Sequence, residues 1–192
     1  VQDLEKIYLN KSLKPEWNQV SICVRQTAII GKVKEAYEYL MKEKEIWEPY
    51  TENYIEGASP EDYKKHFYAV NYCLTFVQYL GFMFKEALPR LKDMEKFYLE
   101  NMKNLDLGDK DIGYLYNEIG KCYSEIGEEN REKAEGYLAK AKETLKRCIK
   151  DRLFIYIHCM STHGQHYLKY KEHQKAQESF EEALKLTEEL GE

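Results

Sequence analysis

The sequence is poor in residues that interrupt helices, with only 4 Pro and 10 Gly among 192. Charged residues make up 33% and hydrophobic residues 43%, a balance that suits a helical protein. No useful stretch alternates apolar and polar residues as a half-buried strand would, so no sheet is assigned. No apolar run reaches the roughly 18 residues that a bilayer span needs, and no signal peptide is visible. A basic excess is also missing. The net charge is -5 and the pI is near 5.7, which argues against direct nucleic-acid binding and against an anionic membrane surface, because both need a surplus of Lys and Arg.

Cysteine is present but unpatterned. Cys23, Cys73, Cys122, Cys148 and Cys159 are odd in number, widely spaced and without a C-x-x-C pair. A disulfide framework is not expected. Reduced thiols packed as small hydrophobes on helices, in a cytoplasmic protein, fit better. No phosphate-binding loop, G-x-S-x-G or H-E-x-x-H is present. The acidic residues run along solvated helix faces, as in Glu128-Glu129 followed by Arg131-Glu132-Lys133. Acid–base chemistry needs groups that converge in a cleft, and no such carboxylate pair is expected. The chain is expected to be no enzyme and to need no cofactor.

What the sequence does contain is a repeat. Met160, Gly164, Tyr167, Ala176, Phe180 and Ala183 are separated by 4, 3, 9, 4 and 3 residues. Small Gly164 and Ala176 let two helix backbones approach, and Tyr167 and Phe180 fill the space beside them. The intervening turn is predicted around Lys169–Glu172. Tyr116, Gly120, Tyr123, Ala134, Leu138 and Ala141 follow the same series, with the turn at Gly127–Arg131. Gly31, Ala36 and Leu40 form a weaker version, as do Gly81, Ala87 and Leu91. The pattern resembles the tetratricopeptide repeat. That resemblance covers four units from about Trp17 to Leu190, approximately residues 16–58, 59–108, 109–153 and 154–192. It implies an all-α chain, a right-handed superhelix of about four antiparallel helical hairpins, read here as a single domain over 1–192. The pitch is longer than the family's usual length of about 34 residues: Ala134 to Ala176 is 42 residues and Ala87 to Ala134 is 47.

Boundary signals agree with this division. Ser59-Pro60-Glu61-Asp62 reads as a helix start, and Gly108-Asp109-Lys110-Asp111 as a turn with a capping carboxylate. Pro89 is tolerable in the first four residues of a helix and would kink it further along. The chain begins at Val1 without Met and shows no atypical final repeat. It reads as a fragment of a longer protein.

In this family ligands lie on the concave face formed by the first helices. Registering each first helix on its Gly position predicts groove residues Arg25, Tyr72, Phe76, Tyr114, Asn117, Lys121, His158, Ser161 and Gln165. Aromatic, amide, hydroxyl and basic groups suit an extended peptide or a protein segment. The family's Lys/Asn/Asn/Lys/Arg carboxylate clamp is not reproduced, since Ser21, Arg25, Ala69, Cys73 and Phe76 occupy the matching positions. Cys159, His163 and His166 share one helical face at i, i+4 and i+7. Zinc is conceivable there, but His163 holds a packing position in the repeat, and no metal is expected. The expected function is a non-enzymatic module that binds another protein or a peptide as a scaffold or adaptor, with homo-oligomerisation open. The alternative is a peptide-sensing regulatory domain, similar in repeat style to the helical domains of Rap/Rgg/PlcR-type bacterial regulators.

Overall fold

A computed structural model describes residues 34, 35, 38, 82–101, 108–150 and 153–191. Among the described residues every regular element is helical and no strand is present. No described helix is long and apolar enough to cross a membrane. The chain divides into two compact units, Val1–Arg90 and Leu91–Glu192.

In the first unit Lys34, Glu35 and Glu38 are helical, and an exposed Lys34–Glu38 pair spans one turn at 3.9 Å. Helix α1, Phe84–Asn101, crosses into the second unit. Pro89 is its sixth residue, beyond the four N-terminal positions whose N–H groups have no helical partner. The proline therefore removes one bond from the ladder, the one that would reach the Lys85 carbonyl. The division between the units falls one residue later.

Beyond α1, the described part of the second unit consists of two hairpins. Helix α2 (Asp109–Ile126) and helix α3 (Arg131–Arg147) are joined by a single turn of 3-10 helix, Glu128–Asn130. Helix α4 (Leu153–Lys169) and helix α5 (His173–Gly191) form the second hairpin. The Gly108 N–H donates to Asp111 Oδ2 at 2.9 Å and starts α2. Helix α4 ends as the sequence spacing predicts. The Glu172 N–H reaches the Tyr167 carbonyl at 2.9 Å and the Lys171 N–H reaches that of Leu168 at 3.1 Å. This 6→1, 5→2 pairing requires a left-handed residue, and Lys171 takes that role at φ 61°.

Glycines set the closeness of each hairpin. A Cβ on Gly120 would lie 2.8 Å from Leu138 Cγ and 3.1 Å from the Leu138 backbone N, and one on Gly164 would lie 2.5 Å from the Phe180 ring. A side chain at Gly120 would press on backbone, whereas one at Gly164 would meet the Phe180 ring alone. Gly113, seven residues before Gly120 and on the same face, is equally tight against Leu145 at 2.6 Å. Because Gly113 meets Leu145 while Gly120 meets Leu138, α2 and α3 run antiparallel. A bidentate pair from Arg147 to Asp109, at 2.9 and 3.0 Å, closes the open end of that hairpin.

The hairpins stack on each other through α2, α3 and α4. Ala141 and Leu145 of α3, Tyr156, Cys159 and Met160 of α4, and Ala183 of α5 form one buried cluster. Polar contacts across the stack recur at nearly constant sequence separation. It is 45 for Asn117–Thr162, 42 for Ser124–His166 and 40 for Lys142–Glu182. Constant separation means that like helices lie parallel, and its size matches the 42-residue pitch between Ala134 and Ala176.

Candidate functional site

The described groove candidates belong to two parallel helices, α2 and α4. Tyr114, Asn117 and Lys121 recur every three or four residues on α2, and His158, Ser161 and Gln165 do so on α4. Each set therefore forms a stripe along one face. Arg25, Tyr72 and Phe76 lie outside the described residues.

The two stripes have different surroundings. Tyr114 stacks on His158 with ring centroids 6.0 Å apart and planes inclined by 24°. His158 Nε2 lies 3.2 Å from Glu118 Oε1. Asn117 is fully buried. Its Nδ2 donates to Glu118 Oε1 at 3.0 Å and to Thr162 Oγ1 at 3.3 Å, while its Oδ1 has no hydrogen-bond partner. Asn117 thus ties α2 to α4, and its amide is closed to a ligand in this arrangement. Lys121 is half-buried. On α4, Ser161 spends its hydroxyl on the Ile157 carbonyl one turn back, at 3.0 Å. Gln165 is exposed. Five accessible groups remain on this seam: Tyr114, Lys121, His158, Ser161 and Gln165. They offer aromatic, cationic, hydroxyl and amide contacts of the kind an extended backbone with mixed side chains can use. Glu118 and Thr162 are seam residues that the sequence reading missed. The repeat held part of the signal, since the 44 residues from Gly120 to Gly164 carry Tyr114 to His158 and Asn117 to Ser161, next to Thr162.

The Cys/His face of α4 is spent on packing. The His163 Nδ1–H donates to the Cys159 carbonyl at 2.9 Å, because a carbonyl can only accept. His166 Nδ1 shares a hydrogen bond with Ser124 Oγ at 2.9 Å, and its Nε2 lies 3.7 Å from Glu135. Its ring lies 4.8 Å from that of Tyr170, over which Arg131 also sits. Burial lowers the pKa of both histidines and pushes the Cys159 thiol up to about 12, so all three groups are neutral near pH 7. Among the described residues no three His, Cys, Asp or Glu side chains are arranged to hold a metal ion. Cys122 and Cys159 are buried and Cys148 is half-buried, and none of the three is in a disulfide.

The remaining polar contacts hold the hairpins together. Lys142 and the Tyr156 hydroxyl both donate to Glu182, at 2.8 and 2.6 Å, which links α3, α4 and α5. Burial works against this carboxylate, but the two donors win and its pKa is lowered. Arg131 donates to Glu135 at 2.9 Å and also pairs with Glu172 in the α4–α5 turn. Lys169 donates to the Ser124 carbonyl at 2.6 Å and to Glu125 at 3.1 Å. No family model, curated protein or solved structure matches the chain.

Proposed function

We propose that this chain is a non-enzymatic helical-repeat module that binds a protein or peptide, serving as a scaffold or adaptor through the face carrying Tyr114, Lys121, His158, Ser161 and Gln165. On this reading the hairpins form a right-handed solenoid of the tetratricopeptide type, with α2 and α4 lining its concave side. The supporting observation is the stacking of α2 beside α4 at a nearly constant sequence separation. That stacking sets side chains of mixed chemistry in two adjacent rows. An extended segment crossing both rows would meet amide and hydroxyl groups for its backbone and aromatic rings for its side chains. Asn117 contributes by fixing the spacing of the two helices, not by touching the partner.

The test is native mass spectrometry of the chain purified from cells, followed by binding of whatever peptide or protein accompanies it. Replacing Gln165 by Arg and Lys121 by Glu should each reduce that binding at least about tenfold, a loss of ~1.4 kcal/mol, and Gln165→Arg should do so without changing the unfolding midpoint. Undiminished binding by both variants would move the partner to another surface.

A further inference from the structure

The outer stripe of α5 is a second surface, independent of the α2/α4 seam. It carries Gln177, Phe180, Glu181, Leu184 and Glu188, which follow one another at helical spacing on a single face. Leu168 at the end of α4 adjoins it. Leu168 is 52% exposed, Phe180 37% and Leu184 59%. Together with Ala176 these side chains line an open apolar depression of about 390 Å³.

The preceding hairpin shows what such a stripe receives. The equivalent positions on α3 are Glu135, Leu138, Ala139, Lys142 and Lys146. Glu135 lies against His166 of α4, and Lys142 bonds Glu182 of α5. The middle of the α3 stripe, Glu135 and Lys142 with buried Leu138 between them, therefore meets the next helical layer, and Ala139 and Lys146 stay exposed at its rim. The depression on α5 continues that interface by one repeat.

Charge selects the occupant. The α5 stripe contains Glu181 and Glu188 and no Lys or Arg. Gln177 Nε2 donates to Glu181 Oε1 at 2.7 Å and holds this carboxylate beside the depression. Two copies of the chain pairing here about a two-fold axis would set these carboxylates against each other, which is unfavourable. We propose that this face docks an amphipathic α-helix of a partner protein, whose apolar stripe fills the depression and whose flanking Lys or Arg residues meet Glu181 and Glu188.

Two synthetic helical peptides of about 18 residues test this. They share one Leu/Phe stripe and differ only in flanking it with Lys or with Glu. Titrated against the 192-residue chain, the Lys-flanked peptide should bind at least about tenfold more tightly, with an advantage that falls as salt rises. Leu184→Glu should weaken it about tenfold or more, and Glu181→Lys should shrink or reverse the preference. Both positions are exposed, and circular dichroism of each variant checks that the fold survives. Equal binding of the two peptides, binding of neither, or indifference to both variants would overturn the proposal. Self-association of the chain that Leu184→Glu abolishes would overturn it in favour of a second copy.

Discussion

The two hairpins of the second unit share one sequence pattern but not one environment. Leu138 on α3 is 1% exposed, and its counterpart Phe180 on α5 is 37% exposed. Ser124 at the end of α2 is buried under His166, while its counterpart Leu168 stands open. Asn117 is buried between helices, and Ser161 at the matching place on α4 is only half-covered. The repeat dictates which way a side chain points. Whether a neighbouring layer rests on it decides its burial, and among the described residues only the α2–α3 hairpin is covered on that side. The more apolar members, Phe180, Leu168 and Leu184, stand on the open hairpin.

Core deletions should separate the hairpins most. Leu138→Ala is expected to cost about 3 kcal/mol in urea unfolding, as for a fully buried leucine. Phe180→Ala should cost clearly less, about 1–2 kcal/mol, because its ring is partly in water already. Adding a methyl to the close approaches comes next. Gly120→Ala should destabilise by about 2 kcal/mol, since the new Cβ would press on the Leu138 backbone N as well as its side chain. Gly164→Ala should cost about half as much, because the Phe180 ring can swing outward. Similar losses in the two hairpins would break the comparison.

Asn117→Ala should then cost about 1–2 kcal/mol by removing the tie between α2 and α4, whereas Gln165→Ala should leave stability unchanged. A pH series sharpens the same contrast. His163 and His166 have lowered pKa values in the folded chain because of burial. The unfolded chain therefore takes up protons first as pH falls below about 6.5. Stability should decline from there down to the lowered folded values, and His166→Gln should flatten part of that decline. Loss from the Arg147-bonded Asp109, the Arg131-bonded Glu135 and Glu182 belongs to a separate window. Their folded pKa values are lowered, so their contribution disappears only below the ordinary values of 4.5 for the two glutamates and 3.8 for the aspartate. The smallest effect is local. Lys171→Gly should stabilise the α4–α5 turn by about 0.5–1 kcal/mol, because Gly accepts the positive φ without strain.

Much of this architecture was legible because close packing leaves marks in sequence. Gly120 and Gly164, each followed by an Ala and then a Leu or Phe, marked both hairpins and the turns between them. Gly113 was overlooked although it shares a face with Gly120. For Pro89 the sequence left two outcomes, tolerance in the first four residues of a helix or a kink further along; it is the sixth residue of α1, which depends on where α1 begins, and no capping residue announced that. The groove stripe was harder to read. Spacing places Tyr114, Asn117 and Lys121 on one face of α2. It does not say that Asn117 turns under α4, because that depends on how closely parallel helices approach. The acceptors and donors across the seam, Glu118 and Thr162, become visible only when the pitch is used to pair one repeat with the next.

The paired deletion of Leu138 and Phe180 tests most directly the claim that one register is buried differently by its neighbours. Urea unfolding of Leu138→Ala and Phe180→Ala, against the parent chain, should give a loss at Leu138 larger by at least about 1 kcal/mol. Equal losses, or a larger one at Phe180, would mean that the α4–α5 hairpin is as fully covered as the one before it, and would contradict the account.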